Sequence, residues 1–242
     1  MKKQIFAGIF GIATVLMAGS AFAQDNSKVN GTGNIKTEDR NVSGSFKSIE
    51  NSATFQVYVT QGTPASVRVE ADGNLLPYIL TDVSGSTLDL HTKKGYNLHS
   101  SDPMKVYVTL PEIEGLYTSG QGIFQGENHF KVGTLDISVS GEAKVDLDLD
   151  ADNIKTSISG SGQIDLKGTS SKTSYSISGK GDVKAPDLQT GSCEMQISGM
   201  GNAEIDAKDH LDISISGMGN IKYKGNPTVN QHVSGMGKIS SE

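Results

Sequence analysis

The stretch Leu211-Asp212-Ile213-Ser214-Ile215-Ser216-Gly217-Met218-Gly219-Asn220-Ile221 alternates apolar and polar residues, breaks at Ser-Gly, and resumes with an apolar residue after a second glycine. Period-two alternation belongs to a half-buried strand, so the stretch reads as strand, corner, strand. The corner recurs as Ser198-Gly199-Met200-Gly201 and as Ser234-Gly235-Met236-Gly237. Upstream copies are Ser178-Gly179-Lys180-Gly181, Ser159-Gly160-Ser161-Gly162 and Ser119-Gly120-Gln121-Gly122, with a degenerate Ser140-Gly141-Glu142-Ala143 between the last two. Recurrence every 19 residues or so is the mark of a stacked solenoid.

Alignment on the corner produces columns. Before it, Leu135, Ile154, Thr173, Cys193, Leu211 and Val229 fall together, then Ile137, Thr156, Tyr175, Met195, Ile213 and Gln231, then Val139, Ile158, Ile177, Ile197, Ile215 and Val233. After it come Val145, Ile164, Val183, Ala203, Ile221 and Ile239, with Leu147, Leu166, Ala185, Ile205 and Tyr223 beside them. The expected fold is all-β, a parallel β-helix with two strands and two turns per repeat. Stacking at about 4.8 Å would make the regular part, residues 119–239, a rod on the order of 30–35 Å long. The corner glycines are expected where the backbone needs positive φ or a close approach. Gly141-Glu142-Ala143 implies that the second glycine is the less demanding of the two.

The remaining chain is less regular. Lys2 and Lys3, the apolar Ile5–Ala18 and Ala21-Phe22-Ala23 read as a signal peptide over residues 1–23. The protein is therefore expected to be exported, whether periplasmic, secreted or at the cell surface, without a membrane-spanning segment once the signal is cleaved. Residues 24–41 form a polar leader in which Gly31-Thr32-Gly33-Asn34-Ile35 is either a stray turn or an edge strand. Residues 42–118 are expected to be irregular early turns of a domain running to residue 239. They include one or two helical turns near Asn74–Leu80, with Asn74 as a possible cap, and a polar loop from Lys93 to Asp102.

With 27 acidic against 21 basic residues, a nucleic-acid partner is not expected. Cys193 is the sole cysteine, so no internal disulfide forms, and its column marks it as an inert core residue.

The Ser-Gly-x-Gly-Asn-Ile phrase, its period and the export signal resemble the autotransporter-adhesin head domain named for its Gly-Ile-Asn motif. Residues Arg40–Ile49, Val57–Gly62 and Gly73–Leu76 resemble that family's opening, so the likeness covers about residues 40–239. It implies a right-handed parallel β-helix and names no activity. An autotransporter carries a membrane barrel, whereas this sequence stops at Ser240-Ser241-Glu242, so an adhesive role would need another anchoring route.

No catalytic, metal or cofactor constellation emerges. A glycine-rich calcium roll needs Asp two residues after the last glycine, where this chain has Ile164, Val183, Ala203, Ile221 and Ile239. Asp146, Asp148 and Asp165, with Asp150 and Asp206, form an acidic face that would serve a calcium ion or a carbohydrate-active enzyme. Interleaved Lys144, Lys167, Lys184 and Lys222 equally suit a solvated, charge-paired surface. His91 and His99 flank the polar loop without metal-pair spacing. Met200, Met218 and Met236 are either stacked turn residues or an apolar contact ridge. The leading expectation is a non-enzymatic binding module for an unknown protein or glycan. The alternatives are a polysaccharide lyase or hydrolase, or a self-assembling envelope protein that pairs through its open solenoid end.

Overall fold

The computed structural model describes residues 27–242. The signal peptide, residues 1–23, lies outside the described residues. The irregular portion comprises β1 (Ser27–Asn30), β2 (Ile35–Arg40), β3 (Ser48–Asn51), β4 (Thr54–Gln61), β5 (Ser66–Asp72), β6 (Ile79–Ser84), β7 (Thr87–Thr92), β8 (Tyr96–His99), β9 (Lys105–Leu110) and β10 (Gly115–Thr118). The long strands β11 (Gln121–Val139), β12 (Glu142–Ile158), β13 (Ser161–Ile177), β14 (Lys180–Ile197) and β15 (Met200–Ile215) follow. β16 (Met218–Lys224), β17 (Thr228–Val233) and β18 (Met236–Ser241) complete the last turn. The fold is a parallel β-solenoid of about 7 turns, as the repeat spacing requires.

The turns stack in the order the columns demand. β11 to β15 pair in parallel, each with the next, and Leu135, Ile154, Thr173, Cys193, Leu211 and Val229 occupy successive register positions. Most of these side chains are fully buried, and each buried Ile or Leu contributes about 1.5–3 kcal/mol relative to exposure. The last turn lacks a neighbour, so Gln231 and Val233 are exposed and Ile239 is only partly covered.

One expectation is corrected. A turn holds three short runs rather than two strands. The ladder between β11 and β12 shifts between Gln125 and His129, and resumes after passing over Gly133. In β12 the inward residues Ala143, Val145, Leu147 and Leu149 change phase before Ile154, Thr156 and Ile158. The cross-section thus has a first run after the Ser-Gly corner, a middle run, and a third run before the next corner.

The corner owes its sequence to backbone crowding. Ser178 N–H and Gly179 N–H both donate to the Ile158 carbonyl, at 2.8 and 3.2 Å, and Lys180 N–H donates to the Gly160 carbonyl at 2.9 Å. The same pattern recurs at Ser159, Ser198, Ser216 and Ser234. A Cβ on Gly160, Gly179, Gly199, Gly217 or Gly235 would lie 2.0–2.1 Å from the carbonyl oxygen of the glycine below. Close approach, not positive φ, is the reason for these glycines. At the second position a Cβ on Gly162 would meet Ile158 side-chain atoms from 3.2 Å, and one on Gly181 would meet those of Ile158 and Ile177 from 2.9 Å. Gly201, Gly219 and Gly237 approach backbone again, with nearest carbonyl oxygens at 3.0, 2.3 and 3.2 Å.

The first part of the chain extends two of these faces. β4 pairs with β11 and β9, placing Val106 and Val57 under Phe124 and Val145. β7, β3 and β10 stack in parallel beneath the third run of β11. Antiparallel pairs appear here as well, β2 with β5, β5 with β9 and β6 with β7.

Three local expectations need correction. The Lys93–Asp102 segment is not simply a loop, since β8 lies within it and pairs in parallel with β1. The helical turn shrinks to a 3-10 turn at Leu76–Tyr78 with Pro77 inside it. Asn74 does not cap it; its side chain donates to the Asn30 carbonyl at 2.8 Å. Of the two readings of Gly31–Ile35, the strand holds for Ile35, which begins β2, while Gly31 to Asn34 are the turn leading into it.

That turn is fastened by Asp72, which is fully buried and accepts from Gly33 N–H and the Ser100 hydroxyl. Replacing Asp72 with Ala leaves both donors without their acceptor, and the expected loss is about 2 kcal/mol. Limited proteolysis checks it: cleavage before Arg40 should precede any cut in the solenoid, while wild-type protein resists at both places.

Candidate functional site

The first run is the face richest in chemistry. Its inward residues build the core, and its outward residues form two columns on either side of the second corner glycine. One column holds Thr54, Gln121, Glu142, Ser161 and Lys180, and continues through Met200, Met218 and Met236. The other holds Gln56, Ile123, Lys144, Gln163, Asp182, Asn202, Asn220 and Lys238. Between them stand Gly122, Ala143 and Gly162, which put backbone rather than side chain at the outer surface.

The result is a groove of about 550 Å³ along the solenoid axis, bounded at its N-terminal end by Pro103 and Met104. Residues two apart on a strand lie about 6.6 Å apart and turns rise about 4.8 Å, so the walls are one strand pleat apart. From Thr54 to Lys180 they run for roughly 19 Å. The volume is that of a small-molecule or oligomer site. Sequence reasoning missed the groove residues, because it treated the second glycine only as part of the corner. The signal was present: small residues at one position, flanked by polar residues on both sides in successive repeats.

Asp165 organises one wall. Gln163 Nε2 donates to its Oδ2 at 2.8 Å, and Lys144 Nζ stands 3.4 Å away. Its Oδ1 is buried without a hydrogen-bonding partner. Lys144 also reaches Asp146, at 4.0 Å. On the opposite wall Gln121 donates to Glu142 at 3.3 Å, while further along the Gln163 wall Asn202 donates to Asp182 at 2.9 Å and Asn220 to Asn202 at 3.2 Å. At the N-terminal end of the same face Tyr58 stacks on Tyr107, ring centroids 5.1 Å apart, with the Arg68 guanidinium over Tyr107.

The structure divides the acidic cluster. Asp146 and Asp165 are register neighbours sharing Lys144, while Asp148 and Asp150 face His129 on the turn below. His129 Nδ1 lies 2.9 Å from Asp148 and Nε2 3.0 Å from Asp150. Asp150 also accepts from Thr169, and that bond together with His129 holds its carboxyl below the usual range. The hydrogen bond to Asp148, then that to Asp150, raises His129 above the ordinary imidazole value. This pairing is fully present below about pH 6.5 and is lost as pH rises through the raised folded value. Half exposure keeps its contribution to stability small. A proton NMR titration should place the His129 midpoint above 6.5, and Asp148→Asn should bring it down.

Other singled-out residues scatter. His91 lies 2.9 Å from Asp82, while His99 sits on β8 beside Asn30. Among the described residues, no three His, Cys, Asp or Glu side chains gather to hold a metal. Met200, Met218 and Met236 stack in register and are 50 %, 44 % and 72 % exposed, extending one groove wall as an apolar ridge. Ser159, Ser178, Ser198, Ser216 and Ser234 line the exposed outer edge of the corners. Cys193 is buried, which pushes its thiol up to about 11.

Residues 45–227 match the family described as "Putative auto-transporter adhesin, head GIN domain". The chain belongs to this family. Solved structures agree with this head GIN domain along its length. A putative adhesin from Bacteroides fragilis superposes with a TM-score of 0.83 at 26% identity, covering 88% of this chain and 100% of that one. A putative adhesin from Parabacteroides merdae gives 0.68 at 25% identity, covering 89% and 99%. A protein from Parabacteroides distasonis described as a putative lipid binding protein gives 0.71 at 26% identity, covering 89% and 100%. No curated protein matches the chain. Among the described residues no helix is long and apolar enough to cross a membrane.

Proposed function

We propose that this head GIN domain is an exported, non-enzymatic, adhesin-like binding module whose ligand lies along the first-run groove. The observation that carries this reading is the groove itself, a channel of about 550 Å³ walled by two ladders of polar side chains on a rigid parallel sheet. Rigid presentation suits recognition, since little ordering entropy is spent when a ligand docks. Family membership and its adhesin-like relatives support the same class, and they support an exported or surface location. A lipid ligand, prompted by one relative, is less well served: Glu142, Lys144, Gln163, Lys180 and Asp182 put charge or an amide along both walls.

The test uses the chain from Gln24 onward, immobilised on beads and exposed to envelope and mucosal-surface extracts and to soluble polysaccharides. Retention of a ligand without release of reducing ends or unsaturated uronates is the expected result. Release that stops in Asp146→Asn, Asp148→Asn or Asp165→Asn would replace this reading with a carbohydrate-active enzyme. Cell fractionation should find the protein outside the cytoplasm; a cytosolic pool alone would overturn the export claim.

A further inference from the structure

Resting on that reading, we infer that the groove binds an uncharged linear oligosaccharide, laid parallel to the solenoid axis between the Gln121–Lys180 and Ile123–Asp182 walls. Four observations lead there.

The floor is the first. Gly122, Ala143 and Gly162 belong to strands hydrogen-bonded to neighbours on both sides. Their backbone N–H and C=O groups are already used in the ladder. An extended peptide joining by strand addition needs a free edge, and this floor has none. Recognition must come from wall side chains, which favours a ligand dense in its own donors and acceptors along its whole length.

The charge pattern is the second. Glu142 stands on one wall beside Lys144 on the other, and Lys180 beside Asp182, in the same strands two residues apart. The groove is therefore charge-neutral. Lys144 is further occupied by Asp165 and Asp146, so no free cation cluster awaits a sulfate, phosphate or uronate. A polyanion would meet Glu142 and Asp182, and a polycation would meet Lys144 and Lys180.

The third is positioning. Asp165 takes the amide N–H of Gln163 and so aims the remaining amide groups of that side chain. Gln121 on Glu142 and Asn202 on Asp182 are tethered in the same way. These fixed amides stand on every second turn, so they present donors and acceptors about 9.6 Å apart along the axis to a ligand that carries hydroxyl groups along its length. The fourth is the apolar end, where Ile123 and Pro103 offer a surface for the C–H face of a terminal sugar ring.

Calorimetric titration of the chain from Gln24 onward tests this. The probes are short xylo-, manno-, cello- and laminari-oligosaccharides, with heparin fragments and oligogalacturonate as charged arms and phosphatidylcholine vesicles as a lipid arm. Expected is binding of at least one neutral oligosaccharide, insensitive to added salt. Ser161→Trp should weaken it by about tenfold or more, since the indole fills mid-groove from an exposed position. Ser157→Trp, exposed on the third run, should leave it unchanged. Gln163→Ala should weaken it while the melting temperature stays put. Binding only of the charged probes or vesicles, or neutral binding that survives Ser161→Trp, overturns the inference. Failure of every saccharide, while beads still retain a protein ligand, overturns this inference and leaves the binding-module reading standing. Silence from both the saccharides and the beads removes the two together.

Discussion

Gly179→Ala is expected to destabilise the solenoid by about 3 kcal/mol or more, the upper end of overpacking costs. The added Cβ would sit 2.1 Å from the Gly160 carbonyl oxygen and 2.3 Å from that of Ser159. Both are backbone atoms held in the stack, so no side chain can swing aside. Relief requires the turns to separate, which would stretch the paired bonds from Ser178 and Gly179 to the Ile158 carbonyl. Gly162→Ala is the matched control. Its Cβ would meet Ile158 side-chain atoms rather than backbone, the nearest at 3.2 Å, and the chain already carries a buried Ala143 at the equivalent place. Its cost should stay below about 1 kcal/mol, the range of tolerated small changes. Urea unfolding followed by far-UV circular dichroism decides between them. Equal midpoints for the two variants would remove the crowded corner as the reason for the motif.

Tyr175→Ala should cost about 3–5 kcal/mol, as large aromatic truncations in packed cores do. Tyr175 is fully buried midway along the rod, in register between Thr156 below and Met195 above. Because each turn touches only its neighbours, the damage should centre on β12 to β14. Amide exchange should rise there before it rises at β4 or β9. Tyr175→Phe keeps the packing and isolates the hydroxyl. Burial raises the Tyr175 phenol above its ordinary value, and it does the same to the Cys193 thiol, pushed up to about 11. Both groups favour the folded state only while protonated. Their contribution is therefore complete below about pH 8.5, where the unfolded thiol begins to ionise, and is lost as pH climbs toward the raised folded values. The double variant Tyr175→Phe, Cys193→Ala should lose less stability between pH 9 and 11 than the wild type, measured by thermal melts across that range.

Much of the architecture could be read from the repeats because a parallel stack puts equivalent residues on top of one another. Val139, Ile158, Ile177, Ile197 and Ile215 stay apolar since each packs on the next. The middle run escaped notice for the opposite reason. Its register partners Phe130, Leu149, Gly168 and Leu188 share neither size nor spacing, so no column appears. β8 escaped because its partner β1 lies some seventy residues earlier in a polar leader, and at 4 residues each the two segments are too short to carry a periodic signal. The groove was hidden in a different way. Its walls are made of residues that differ from turn to turn, and only the backbone between them repeats.

The three-run turn also explains where this chain keeps its slack. Turn lengths differ, yet the register breaks fall between Gln125 and His129, between Asp165 and Lys167, and within Ala185–Ser192. The stretches from corner to Asp165 or Ala185, and from Cys193 to Ile197, keep strict step with their neighbours. The middle run behaves as an expansion joint between two rigid flanges. Extra residues there bulge outward and leave both flanges in register, whereas a single residue added inside a flange would turn every following side chain from core to solvent. Lineages can therefore lengthen, decorate or graft onto one side of the rod while the groove side remains a fixed ruler.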